Sequence, residues 1–467
     1  MLFNEARFFV FFALAFAVHW ALRTNGSRKA WLLLCSCAFY GAWDWRFLGL
    51  MAVSILIDYA TGRALTTVST TGARRAWLVL SLCANLGILG FFKYYGFFVD
   101  SATELLKSLG FETSERTLQI VLPVGISFFT FQSMSYTIDV YRRGIEAVKS
   151  FTDFALFVAF FPQLVAGPIV RAVDFIPQLA TKRLWRDVEV RACLVLFLAG
   201  FIKKACIADN IAPTLDSVFK DPSAFDAASN WIALALYHVQ IYCDFSGYSD
   251  MAIAAAGLLG YKLTLNFNFP YLTSNIAEWW RRWHISLSSW FRDYLYIPLG
   301  GNRRGSWRTF FNLYVVFLLC GLWHGANWNF LAWGAFHGTL LAVHRAWGDR
   351  HAPQQAGSAV VLAKWCATTL AVLWGWLIFR GEGATKTLAM FEIQLGLEPG
   401  GTNHLDLWWV AFFASALLVH VLANRAVLRE PIERVSNATF AVVYGCAWAL
   451  TLPWLASGYT PFIYFQF

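Results

Sequence analysis

Long apolar stretches follow one another along this chain, separated by segments that carry most of its charge. In the first third they cover residues 8–22, 30–43, 47–59, 76–99 and 118–138. Further on they cover residues 190–201, 231–243, 252–259, 310–323, 330–343, 360–379, 408–422 and 440–455. A chain this apolar cannot hide its side chains in a water-soluble core, and in lipid its backbone must satisfy its own hydrogen bonds. Helices are the solution, so the sequence predicts an all-α polytopic membrane protein. Several stretches fall short of the roughly 20 residues of a full span, which predicts about 11 transmembrane helices with re-entrant and interfacial helices between them.

Charged residues are 14% of the chain and hydrophobic ones 58%, which excludes an ordinary soluble enzyme. The net charge of +9 fits the basic cytoplasmic loops of a membrane protein. Nucleic acid is not an expected partner, because no soluble face gathers the basic residues. The nine cysteines are scattered, mostly inside apolar runs, and read as inert buried thiols with no metal-ligand spacing. No basic segment precedes the first apolar run, so residues 8–22 read as a retained helix.

Loop charge sets an expected topology. Arg23, Arg28 and Lys29 place the first loop in the cytoplasm; Arg63, Arg74 and Arg75, then Arg142, Arg143 and Lys149, return there. The acidic loop with Asp100, Glu104, Glu112 and Glu115 lies outside. Between residues 150 and 265 the alternation breaks. Phe160-Phe161-Pro162-Gln163-Leu164-Val165-Ala166-Gly167-Pro168 carries two prolines and a glycine, which argues for a re-entrant segment buried in protein rather than a continuous helix. Arg303, Arg304 and Arg308 lie inside again, as do Arg345 and Arg350, and Arg425, Arg429 and Arg434 mark the last inner loop. No internal repeat or soluble domain interrupts residues 1–467, which read as a single integral membrane domain with its core motifs within 122–345.

Two histidines stand out because an ionisable group at membrane depth is a functional candidate by default. His324 ends an apolar run in Cys320-Gly321-Leu322-Trp323-His324-Gly325-Ala326-Asn327-Trp328. His284 lies in Trp279-Trp280-Arg281-Arg282-Trp283-His284-Ile285-Ser286. Imidazole titrates near neutral pH and suits proton transfer. The glycines beside His324 suit either helix packing or a tunnel constriction next to an aromatic wall formed by Trp323. On a helical wheel, residues 276–297 form one basic amphipathic helix at the cytoplasmic interface, with His284 on its aromatic arc beside Trp283. That histidine is either a satisfied core residue or one aimed into a cavity. His337 and His344 read as structural. Asp244-Phe245-Ser246-Gly247-Tyr248-Ser249-Asp250 places two carboxylates at a Gly-Tyr turn, either ion-paired or orienting a polar substrate with Tyr248. Arg171 is a candidate to neutralise one of them or to bind a phosphate. No metal site is expected.

Five stretches together resemble the membrane-bound O-acyltransferase superfamily, in particular its bacterial branch that acetylates alginate and D-alanylates teichoic acid. They are Leu122-Pro123-Val124-Gly125-Ile126-Ser127-Phe128-Phe129-Thr130-Phe131-Gln132 and residues 161–171, 244–252, 279–301 and 321–330. The closing Phe462-Ile463-Tyr464-Phe465-Gln466-Phe467 is similar to alginate-type members. The resemblance implies a helical ring pierced by a central tunnel, in a bacterial inner membrane. It implies His324 as catalytic base and His284 as the second active-site histidine, bonding the donor carbonyl or orienting the thioester. Arg171, Asp244, Tyr248, Asp250, Trp283, Trp323 and Asn327 become candidates for substrate or tunnel contact. The expected donor is acetyl-CoA, with no bound cofactor. The expected acceptor is an extracytoplasmic polysaccharide, reached directly or through an SGNH-type acetyltransferase partner. Peptidoglycan O-acetylation, D-alanyl transfer, or an acyl conduit without chemistry of its own remain the alternative expectations.

Overall fold

The computed structural model describes residues 1–111, 118, 120–348, 357–425 and 434–456. Glu112, Glu115, Arg350, Arg429 and the closing residues 462–467 lie outside the described residues. Every regular element described is helical, and one isolated bridge pairs Phe225 with Asn403. The chain divides into two compact units, residues 1–193 with 252–264, and residues 194–251 with 265–467.

The first unit holds α1 (Ala6–Ala21), α2 (Asn25–Asp44), α3 (Arg46–Thr67), α4 (Thr71–Leu89), α5 (Tyr95–Ser108), α6 (Ile126–Tyr141), α7 (Phe151–Ala159), α8 (Phe161–Leu164) and α9 (Ala172–Ala180). Caps fix several helix starts: Thr24 and Ser150 accept from the backbone N–H of Ser27 and Asp153 at 3.1 and 3.2 Å. α2 gives way to α3 at Trp45, between the apolar stretches 30–43 and 47–59. The Pro-Gly stretch is broken as expected, with only the four-residue α8 inside it, and its residues are buried. Gly125 starts α6 from a left-handed conformation (φ 75°), and a Cβ there would sit 2.5 Å from the carbonyl oxygen of Leu164.

A polar knot ties α3, α4 and α6. The fully buried carboxylate of Asp58 accepts from Ser81 at 2.5 Å, from Asn85 at 2.9 Å, from Thr137 at 3.2 Å and from Ser133. Hydrogen bonds between helices hold such a group in apolar surroundings.

In the second unit α10 (Val190–Phe201), which begins in the first, runs through a π-helical segment (Ile202–Ala208) into α11 (Asp209–Lys220). Then come α12 (Ala227–Leu258), α13 (Ile276–Arg282), α14 (Ile285–Phe291), α15 (Ser306–His324), α16 (Trp328–Gly348), α17 (Ser358–Arg380), α18 (Ala384–Gln394), α19 (Trp408–Asn424) and α20 (Asn437–Thr451). The stretches at residues 231–243 and 252–259, separate in the sequence reading, are joined in one helix of 32 residues that ends at Leu258, its residues from Ala252 onward belonging to the first unit.

Among the described residues, three helical stretches are long and apolar enough to cross a membrane by length and composition: Arg46–Thr67, Thr71–Ser108 and Ser358–Arg380. Large apolar side chains point outward along many helices, among them Val10, Leu34, Leu80, Leu362, Val419 and Val442. An outward apolar surface of this extent belongs in lipid.

Candidate active site

α15 and α16 pack as a close antiparallel pair, and glycine makes the approach possible. A Cβ on Gly321 would overlap the carbonyl oxygen of Phe330, and one on Gly334 would overlap that of Phe317. The glycine before His324 therefore serves helix packing. A Cβ on Gly325 would meet the ring of Phe330, and Gly325 is extended (φ −163°), which ends α15 at His324. The histidine is thus the last residue of a helix, 4% exposed, and held by rings on several elements. Trp333 of α16 and Phe379 of α17 meet it edge-on, with centroids at 5.0 and 5.2 Å, and its neighbour Trp323 at 5.1 Å.

The second histidine sits at a break in the chain. The continuous amphipathic helix expected over residues 276–297 is divided into α13 and α14, and the residue at the division is His284 itself. Its φ of 44° is left-handed, a conformation that non-glycine residues seldom adopt and that recurs at functional sites. The cause lies in residues 266–268, which capture the helix's backbone. Ile285 N–H donates to the Asn266 carbonyl and Asn268 N–H to the Arg282 carbonyl, both at 2.9 Å. Once these groups pair outside the helix, its ladder is interrupted there.

The Asn266 side chain completes the arrangement. Its Oδ1 accepts from Ser286 N–H at 3.3 Å and from the Ser286 hydroxyl at 2.9 Å, and it lies 3.1 Å from His284 Nδ1. Its Nδ2 donates to Ser249 of α12 at 3.2 Å. His284 is fully buried, with Phe245 of α12 edge-on at 4.7 Å and Trp323 at 5.8 Å.

The two imidazoles belong to one constellation. Their ring centroids lie 6.5 Å apart with planes inclined by 63°. The wall around them is aromatic. Trp283 stacks on Trp279 at 5.2 Å and contacts Trp376 at 4.9 Å. Such an enclosure keeps water out and strengthens the electrostatic interactions made inside it. Two proton-carrying rings within it can take up and return a proton during a group transfer.

The acidic motif lies differently from its sequence reading. Asp244–Asp250 is no turn but the middle of α12, and Gly247 permits a helix contact: a Cβ there would fall 2.6 Å from the carbonyl oxygen of Gly200. Lys204 bridges Asp244 at 2.6 Å and Asp209 at 2.7 Å, and all three are buried. Lys203 pairs with Asp250 and reaches the Ser246 hydroxyl at 3.1 Å. Both lysines come from the π-helical segment, whose wider turn aims consecutive side chains at α12. The sequence reading missed them. The adjacent Lys203-Lys204 pair inside an apolar run was the signal that would have found them. Tyr248 is buried one turn beyond Asp244. The motif reaches His284 through Phe245.

Of the remaining candidates, Asn327 is exposed and caps the start of α16, accepting from Asn329 N–H at 3.0 Å. Arg171 precedes α9 in the first unit. His337 is buried against Trp279 and accepts from the Trp280 indole N–H at 3.3 Å, the structural place expected of it.

Comparison with known proteins decides the family. A model of the membrane-bound O-acyltransferase family matches residues 142–379, which include both histidines. A protein of Azotobacter vinelandii named "Probable alginate O-acetylase AlgI" is 38% identical, with all of both chains covered. This chain belongs to the membrane-bound O-acyltransferase family. It is an O-acyltransferase and a multi-pass membrane protein. The "Peptidoglycan O-acetyltransferase" of Helicobacter pylori is 36% identical over 87% of this chain and 82% of its own. The "Teichoic acid D-alanyltransferase" of Streptococcus thermophilus is 31% identical, over 50% of this chain and 60% of its own.

Proposed function

We propose that this O-acyltransferase takes an acetyl group from acetyl-CoA on the cytoplasmic side of the bacterial inner membrane and delivers it for O-acetylation of an extracytoplasmic polysaccharide of the alginate type. The observation that carries the chemistry is the pair of imidazoles 6.5 Å apart inside an aromatic enclosure. The full-length similarity to a protein named for alginate acetylation favours this acceptor. The whole chain acts as one membrane domain, with about 11 spans around a central tunnel that brings donor and acceptor to the histidines.

His324 is the general base. It takes the proton of the attacking hydroxyl as the oxygen bonds to the thioester carbonyl carbon. The carbon–sulfur bond then breaks, and the imidazolium returns that proton to the departing thiolate. The products are the acetyl ester and CoA thiol, with no net proton consumed. His284 lines the same enclosure and orients the reactants. Trp283 and Trp323 flank the acyl path. Asp244, Tyr248 and Asp250 hold α12, and with it Phe245, in place. Arg171 is the proposed contact for a phosphate of the donor. The acetyl group passes to the sugar directly or through a serine on an SGNH-type partner.

Peptidoglycan is the second acceptor to consider, because the Helicobacter pylori relative is nearly as similar. D-alanyl transfer finds less support, since that relative matches only half of this chain. The ester-linked acetyl content of exopolysaccharide and of peptidoglycan, measured in cells carrying wild type or His324→Ala, separates the readings. Loss of acetyl from the exopolysaccharide alone is expected. Undiminished acetylation of both polymers with the variant inserted in the membrane would refute the assignment of His324.

A further inference from the structure

The hydrogen bonds at Asn266 settle which nitrogen of His284 carries the proton. A backbone N–H can only donate, so the Asn266 atom facing Ser286 N–H at 3.3 Å is the carbonyl oxygen. The amide nitrogen is engaged elsewhere, donating to Ser249. An oxygen that lies 3.1 Å from His284 Nδ1 makes that nitrogen the donor. A neutral imidazole has one N–H, so Nε2 holds a lone pair.

We infer that Asn266 is a positioning residue, which fixes His284 in the Nδ1–H tautomer so that Nε2 meets the reactants as a hydrogen-bond acceptor. The inference rests on the acetyl-transfer reading for its consequence and on the geometry for its substance. Neutral His284 cannot then donate to the thioester carbonyl oxygen, which is itself an acceptor. Its partner is a hydroxyl or thiol proton. It holds the acceptor hydroxyl, or receives the proton that His324 takes from it, and that proton still ends on the departing thiolate.

Three features make Asn266 suited to this task. It is fully buried, so water does not compete for its oxygen. Its amide is pinned from the opposite side by Ser249, which prevents the flip that would present an N–H to the histidine. It is neutral, so it orients the ring without adding a charge. His284 itself holds a left-handed backbone (φ 44°), a strained conformation of the kind that clusters at functional sites.

Nitrogen NMR of the purified full-length protein with 15N-labelled histidine is the test. The His284 signals are assigned by their loss in His284→Gln. The wild type should show a protonated Nδ1 and an unprotonated Nε2 at neutral pH. In Asn266→Ala this pattern should be lost or mixed, and kcat should fall about 10²-fold, with KM for acetyl-CoA changed far less. Asn266→Asp keeps the accepting oxygen and should keep the proton on Nδ1. A proton on Nε2 in the wild type would overturn the inference, as would an unchanged tautomer in a folded Asn266→Ala. The wild-type spectrum decides the first point even where a variant fails to fold. The NMR readout involves no turnover, so failure of the inference is distinguishable from failure of the acetyl-transfer reading.

Discussion

The rings of His284 and His324 lie 6.5 Å apart, yet they reach that position by different means. His324 is delivered by the end of a regular helix, stopped by Gly325 and braced by Trp333 and Phe379. His284 is delivered by a helix that has been broken, held in a left-handed conformation by pairing with residues 266–268. One arm of the site depends on helix packing and the other on a hydrogen-bonded loop.

The helix-packing arm predicts a steric result. Gly321→Ala places a methyl group on the carbonyl oxygen of Phe330, and Gly334→Ala does the same at Phe317. Each substitution should destabilise the protein by about 1–3 kcal/mol, the usual cost of overpacking. Gly338→Ala is the control, since its nearest neighbour would be at 3.5 Å, an ordinary contact. Melting curves in detergent should place the first two well below wild type and Gly338→Ala close to it.

The buried ion cluster predicts an order of severity. Lys204 neutralises two carboxylates that are themselves buried, whereas Lys203 and Asp250 are partly exposed. Lys204→Met strands Asp209 and Asp244, and breaking a buried pair in this way costs about 3–5 kcal/mol. Lys203→Met should cost less. Equal melting temperatures for the two variants would contradict this placement of charge.

His337 supplies a contrast with the candidate active-site histidines. It accepts from Trp280 and lies in the wall behind Trp279. His337→Phe leaves the indole N–H without that acceptor, a loss of about 1–3 kcal/mol. Stability should fall while turnover per folded molecule stays within a few-fold of wild type. A loss of turnover as deep as that of His324→Ala, at equal stability, would move His337 into the chemistry.

Much of this was legible in the residues themselves. The apolar runs marked many of the helices, and two histidines flanked by tryptophan marked the candidate site, because both signals are local. The break at Phe160–Pro168 was legible because proline and glycine act on their own backbone. What escaped were effects of partners distant in sequence. A helical wheel made residues 276–297 one helix, since it knows nothing of Asn266 waiting to take the backbone of the next turn. Gly247 looked like a turn because nothing local says that Gly200 packs against it. That Asp244 and Asp250 are ion-paired was one of the two readings open from the sequence, but their partners were hidden because the lysines lie some 40 residues upstream, on an irregular π-helical turn. Asn266 itself left one faint trace, the alternation Leu265-Asn266-Phe267-Asn268-Phe269 before Pro270.

The central claim is that His324 performs an acetyl transfer. Acetyl-CoA turnover by the purified protein, wild type against His324→Ala, tests it most directly, with polysaccharide acceptor or extracytoplasmic partner supplied and folding checked for both. Removing a general base should lower turnover by about 10²–10⁴-fold. Equal turnover by the two folded proteins would contradict the account and leave the histidine a packing residue.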